Sequence, residues 1–85
     1  MDYDYPEYIE YARNKANNST MIWASVNSYI LDTLEKGKKA GQSLEEVAGI
    51  FEQFAGEPKK NEPVCISHIR SAAKQIRARK ELLLI

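Results

Sequence analysis

Apolar residues recur along most of this chain at steps of three and four, which is the period of an amphipathic helix. The clearest stretch runs from residue 21 to about residue 36, where one wide stripe contains Ile22, Trp23, Val26, Ile30 and Leu34. No comparable run of strict alternation is present, so the pattern predicts helices rather than strands.

The first helix is predicted to begin near Asp4. An aspartate accepts hydrogen bonds from free amides at a helix start, Pro6 is tolerated in the first turn, and Glu7 suits the positive end of the helix dipole. The polar run at residues 17–20, Asn-Asn-Ser-Thr, competes for backbone hydrogen bonds. It predicts a turn or kink there, with one continuous helix as the alternative.

Ser43 and Glu46 have the spacing of a capping box, the firmest local signal in the chain. An apolar run at helical spacing follows from residue 44 to residue 55, and Gly56 closes it. Residues 57–63 are polar and bounded by prolines, which predicts a loop.

The last helix is predicted to begin between Pro63 and Ser67 and to run to about Lys80. The apolar segment Leu82–Ile85 is predicted to be either the end of this helix or a short strand, packed on the body or on a partner. The chain is therefore expected to form one all-α domain of three to four helices over residues 1–85. Its parts are an acidic tyrosine-rich helix (1–18), a helical core (21–56), a loop (57–63) and a basic helix with an apolar tail (64–85).

Composition supports a single small globular domain. The chain has 85 residues, of which 44% are hydrophobic and 28% are charged, unlike a disordered segment. Its longest apolar run, residues 82–85, is far too short to span a membrane, and the acidic N-terminal segment does not resemble a secretory signal. The single cysteine, Cys65, excludes an internal disulfide and favours a reducing compartment, so a cytoplasmic location is expected.

Charge is divided unevenly although the formal net charge is zero. Residues 1–57 carry ten acids and five bases, and residues 58–85 carry seven bases and two acids. This division predicts either a basic binding surface on an acidic body or two halves that attract each other.

The first functional hypothesis is binding of double-stranded DNA by the last helix. Its basic stripe consists of Arg70, Lys74 and Arg77, with Ser71 and Gln75 beside it. Such side chains would contact phosphates or base edges. Further attraction would come from Lys59, Lys60, Arg79 and Lys80. The chain would then be a small regulator of the kind that phages, plasmids and bacteria encode.

The order of helices from Met21 to Ile85 resembles a helix-turn-helix module in a generic way, with Leu82–Ile85 as the first strand of a wing. One feature departs from that motif. The connection from Ala55 to about Val64 is longer than the usual turn of about three or four residues.

The alternative hypothesis is a protein-binding inhibitor or adaptor that occludes a larger partner. Four tyrosines alternate with acids near the N-terminus, namely Tyr3, Tyr5, Tyr8 and Tyr11. Tyrosine favours interfaces because it brings contact area with few rotamers and a hydroxyl group. Equally, these rings would serve simply to cover a small core.

A homodimer is also predicted, through an apolar seam made by Ile66, Ile69, Ala73, Ile76 and Leu83. Catalysis is not expected. Cys65 and His68 share a helix face, but there is no second cysteine or histidine to complete a zinc site and no evident orienting group. No metal or cofactor is therefore predicted.

Overall fold

The computed structural model describes residues 3–85, which form four α-helices. They are α1 (Tyr5–Asn18), α2 (Met21–Lys39), α3 (Leu44–Ala55) and α4 (Val64–Arg77). The predicted all-α fold is confirmed, and the chain breaks between α1 and α2 at Ser19 and Thr20, within the polar run. Residues 78–85, called the C-terminal tail below, are neither helix nor strand.

The predicted starts of α1 and α3 are closed by capping boxes. At α1, the Asp4 carboxylate accepts from the backbone amide of Glu7 and also from that of Tyr5 at 2.8 Å, while the Asp4 amide donates to the Glu7 carboxylate at 3.1 Å. At α3, the Glu46 amide donates to the Ser43 hydroxyl at 3.1 Å, and the Ser43 amide donates back to Glu46 at 3.0 Å. Each box satisfies amides that have no partner inside the helix, so these starts are fixed by local chemistry.

The helices pack as two antiparallel pairs. α1 lies along α2 and α3 lies along α4, whereas direct contacts between the pairs are fewer. Apolar stripes of all four helices meet in one core, whose most completely buried large apolar side chains include Tyr8, Ile30, Leu34, Leu44, Val47, Phe51 and Ile76.

The C-terminal tail packs into the core that the two pairs share. Leu82 is 1% exposed and Leu84 is also buried, both within the shared core. The Tyr8 hydroxyl of α1 donates to the Lys80 carbonyl at 2.7 Å, which holds the start of the tail against α1.

The tail then runs back toward the start of α2. The Leu83 amide donates to the side-chain carbonyl of Gln75 at 2.8 Å, and the buried Asn27 amide group donates to the Ile85 carbonyl at 2.7 Å. The tail therefore joins both pairs along much of its length, and the expectation that these apolar residues pack on the body is confirmed for Leu82 and Leu84.

Two predictions about the end of α4 are wrong. The helix stops at Arg77 rather than near Lys80, because Arg79 adopts a left-handed conformation with φ of 56°. The Lys80 amide then bonds to the Gln75 carbonyl and the Arg79 amide to the Ile76 carbonyl, as in a Schellman motif. The residues 82–85 form no strand, since their polar groups bond to side chains instead of a second strand.

The predicted dimer seam lies mostly inside the single chain. Ile69, Ala73 and Ile76 are buried in its own core, Ile66 is half-buried and Leu83 is exposed. Three of the five residues are therefore unavailable to a second copy while the fold is intact.

Among the described residues, none of the helices combines the length and apolar character needed to cross a membrane.

We expect Leu82→Ala to lower the free energy of unfolding by about 2–5 kcal/mol, because it leaves a cavity in the shared core. The adjacent Leu83→Ala is the matched control, since Leu83 is 62% exposed, and it should stay within about 0.5 kcal/mol of the parent. Urea unfolding followed by circular dichroism measures both. Equal effects of the two changes would contradict a closing role for the tail.

Candidate functional site

The predicted basic stripe does come together on α4. Arg70, Lys74 and Arg77 line one open cleft of about 670 Å³, together with Ser67, Ser71 and Glu52. The helical spacing of three and four residues places the three bases on one side of α4. Their charges, however, are not equally available.

Arg70 is held by groups at the end of α3 and in the following loop. Its guanidinium forms a two-pronged ion pair with Glu62, at 2.5 and 3.0 Å, and donates to the carbonyls of Ala55 and Gly56 at 3.1–3.2 Å. Carbonyls at a helix C-terminus have no intrahelical donor, so Arg70 completes the end of α3. Its position is set by the fold rather than by an external ligand.

Arg77 and Arg79 are also paired within the chain. Arg77 donates twice to Glu52 of α3, at 2.7 and 2.8 Å. Arg79 lies 2.9 Å from Glu45 and 3.5 Å from Asp4, which ties the tail to α3 and to the start of α1.

Hydrogen bonds lower the pKa of two of these carboxylates. Arg70 lowers the pKa of Glu62, and Arg77 lowers the pKa of Glu52, each mainly through the side-chain hydrogen bond. Both carboxylates therefore keep their negative charge to a lower pH than a glutamate without such a partner.

The remaining predicted nucleic-acid contacts are more scattered. Lys59, Lys60, Lys74 and Lys80 are exposed, and none forms an ion pair within residues 3–85. Gln75 uses its carbonyl to hold the tail, and its amide makes a long 3.5 Å contact with the exposed Ser71 hydroxyl. Lys74 is thus the one cleft base in the described chain without an internal carboxylate partner.

A second concave surface lies beside α1 and is lined by acids and tyrosines. We call it the acidic aromatic groove; its volume is about 390 Å³, and it is formed by Tyr3, Glu7, Tyr8, Glu10, Tyr11, Asn14, Glu81 and Leu82. Three of the four tyrosines predicted as partner contacts meet here.

The tyrosines have distinct places in this groove. Tyr8 is 1% exposed and forms its floor, and the Tyr3 ring stacks on it with centroids 6.0 Å apart. Tyr11 is half-buried, with the Lys15 ammonium 5.7 Å from its ring centroid. Tyr5 lies apart, and its hydroxyl donates to the Gln42 carbonyl at 2.6 Å. Burial raises the pKa of both Tyr5 and Tyr8, so their hydroxyls remain donors near neutral pH.

Two of the three carboxylates in the groove have no internal partner among residues 3–85. Glu10 and Glu81 are exposed and take part in no ion pair among residues 3–85, whereas Glu7 is committed to the capping box. Two negative charges therefore remain beside the aromatic rings with no cation of the described chain bound to them.

Sequence reasoning did not find the contributions of Asn14, Glu81 and Leu82 to this groove. Glu81 follows two bases and precedes the apolar residues 82–85, and its position beside α1 depends on the path of the tail. No local pattern signals that path.

Cys65 and His68 both take part in the packing of α4. Cys65 is a half-buried free thiol packed against the core, and the His68 ring packs edge-on against Trp23 with centroids 5.0 Å apart. Burial lowers the pKa of His68, which favours its neutral form. His68 therefore contributes to packing between α2 and α4.

Comparison with known protein families found no match, and comparisons with curated proteins and with solved structures found none either.

We expect Arg70→Ala to lower the thermal unfolding midpoint more than Arg77→Ala. Both changes remove a two-pronged ion pair, but only Arg70 also bonds to the carbonyls at the end of α3. Thermal unfolding of the two variants by circular dichroism makes the comparison. A midpoint loss for Arg77→Ala as large as that for Arg70→Ala would show that the α3 carbonyl contacts contribute nothing.

Proposed function

We propose that this chain is a protein-binding module, an inhibitor or adaptor, that engages a basic segment of a larger partner through the acidic aromatic groove. The proposal is carried by the ion pairs that these side chains form or lack. Glu10 and Glu81 form no ion pair with a cation of the described chain. Arg70, Arg77 and Arg79 each form an ion pair with a carboxylate of the same chain.

The chemistry of the groove suits an arginine or lysine side chain. A carboxylate accepts charge-assisted hydrogen bonds from such a cation, and a tyrosine face attracts it through the ring quadrupole. Lys15 already lies over the Tyr11 ring, so the surface accommodates an ammonium there. The stacked Tyr3 and Tyr8 rings are fixed by packing, which reduces the entropy lost on binding.

The cleft on α4 is less suited to a polyanion. A phosphate that approaches Arg77 also approaches Glu52, and one that approaches Arg70 also approaches Glu62. Exposed ion pairs are individually weak and would exchange, but the displaced carboxylates would remain beside the phosphates and repel them.

A fluorescent nonamer of arginine tests the proposed groove. We expect salt-sensitive binding to the parent chain, and binding at least about 10-fold weaker for the double variant Glu10→Lys, Glu81→Lys, because attraction becomes repulsion. Glu57→Lys is the control, since Glu57 is an exposed acid in the α3–α4 loop. If Glu57→Lys weakens binding of the peptide as much as the double variant does, the attraction is nonspecific and the groove is not the binding site.

Binding of double-stranded DNA by α4 is the second candidate, favoured by the convergence of Arg70, Lys74 and Arg77 on one cleft. Under this hypothesis the lysines of the loop and tail add attraction, and the chain acts as a regulator. Lys74 is the residue to change, because altering Arg70 would also disturb the end of α3.

For this candidate we expect the parent to bind a duplex of about 20 base pairs at about 50 mM salt, where phosphate contacts are strongest. Lys74→Glu should abolish that binding in an anisotropy titration. Lys39→Glu reverses the charge of an exposed residue at the end of α2, and it should reduce DNA binding only slightly. No binding by the parent at this salt would remove the DNA hypothesis and leave the protein-binding proposal untouched.

A further inference from the structure

The two helix pairs are joined at one place by aromatic and amide side chains. His68 of α4 packs edge-on against Trp23 of α2, with ring centroids 5.0 Å apart. One helical turn after Trp23, the buried Asn27 side chain donates to the Ile85 carbonyl of the tail at 2.7 Å and to the Ser19 hydroxyl at 2.8 Å. We call Trp23, Asn27, His68 and Ile85 the inter-pair junction. Direct contacts between the pairs are fewer than those within each pair, so a change at this junction acts where the fold has little else to hold it.

Two buried polar atoms of the inter-pair junction have no hydrogen-bond partner among residues 3–85. They are Nε2 of His68 and Oδ1 of Asn27. Buried polar atoms are nearly always hydrogen-bonded, and an unpartnered one lowers stability. A neutral imidazole limits this cost because one of its nitrogens carries no hydrogen, whereas a protonated ring carries an N–H on both. Protonation of His68 would therefore bury a charged donor that has no acceptor.

The two helices that meet at the junction offer a protonated His68 no free carboxylate. On α4, the titratable side chains nearest in sequence are Cys65 and Arg70, and Arg70 is paired with Glu62. On α2, residues 21–31 contain no acid and no base. The positive charge of the ring would therefore lack a counter-charge on either helix.

The other elements packed against these helices do not supply one. Tyr29, the one ionisable side chain in that part of α2, packs its ring against two phenylalanines of α3, and residues 82–85 carry no charged side chain. The acids of α3 are engaged elsewhere: Glu45 pairs with Arg79, Glu46 closes the capping box and Glu52 pairs with Arg77. Burial therefore lowers the pKa of His68 below its usual value of about 6.5.

We propose that the inter-pair junction is an acid-sensitive contact, at which protonation of His68 separates α4 from the first half of α2. Histidine is the side chain that changes charge in this range of pH, and its protonation alters packed interfaces in other pH-dependent proteins. Because the folded chain holds the neutral ring, the separated form binds a proton more readily. The junction is fully stable above about pH 6.5 and loses stability as the pH falls through that value toward the pKa of the folded chain.

Hydrogen exchange of the full chain at about pH 7.5 and about pH 5.5 tests this proposal, with rates corrected for the intrinsic effect of pH on exchange. His68 is the only histidine of the chain, and the pKa values of Glu45, Glu52 and Glu62 are lowered, so these glutamates stay ionised at both values. We expect the opening constants of amides in residues 21–31 to rise at least about 3-fold at the lower pH. Amides in residues 44–55 should change less, since α3 does not contain the junction.

Two variants separate His68 from other effects of acid. His68→Phe keeps a ring against Trp23 but takes no proton, so its opening constants should not differ between the two pH values. The double variant Ser67→His, His68→Phe is the matched control, because it moves the histidine by one position to an exposed site on α4. It should behave like His68→Phe, and helical circular dichroism shows whether each variant is folded.

NMR titration of the His68 ring in the parent chain needs no variant. Its midpoint should lie below about pH 6.5, and amide signals of residues 21–31 should titrate with it. The proposal would be overturned by a midpoint at or above that value, or by opening constants of the parent that do not change with pH. An equal rise in all four helices, or the same rise in His68→Phe, would also overturn it, because acid would then act on the whole fold or through another group.

Discussion

Burial of Leu82 and Leu84 in the core that the two helix pairs share is the interaction on which the rest of this structure depends. A chain of this length has a thin core, and the hydrogen bonds of the tail reach α1 and α2 of one pair and α4 of the other. The tail also determines what the surface offers, because it places Glu81 at the acidic aromatic groove. The proposed binding surface therefore requires the docked tail.

The helices were predictable because their signals are local. Asp4 with Glu7 and Ser43 with Glu46 bond within one helical turn, and the apolar spacing of α2 and α3 reports directly which side is buried. The end of α4 was not predictable in this way. A left-handed residue stops that helix, and the sequence has Arg79 where glycine is the usual signal. Its unusual conformation accompanies ion pairs to Asp4 and Glu45, which are distant in sequence.

The candidate surfaces were only partly predictable for a related reason. Helical spacing correctly brings Arg70, Lys74 and Arg77 to one cleft, but spacing says nothing about the carboxylates that meet them. Glu52 lies 25 residues before Arg77, so the pairing depends on how α3 packs along α4. Arg77 and Arg79 of the basic half thus pair with acids of the acidic half, whereas Arg70 pairs with Glu62 of its own half. Similarly, three of the four N-terminal tyrosines share a groove because the tail passes beside them.

The position of the tail in the chain has a consequence for biosynthesis. Residues 78–85 leave the ribosome after all four helices, and these helices make most of their contacts with a neighbour in sequence, so each pair is able to form as it emerges. Until the tail docks, the core side chains that Leu82 and Leu84 cover remain exposed to solvent. The interval before tail docking is therefore the stage at which chaperones would bind this protein and at which premature termination of translation would leave it prone to aggregation.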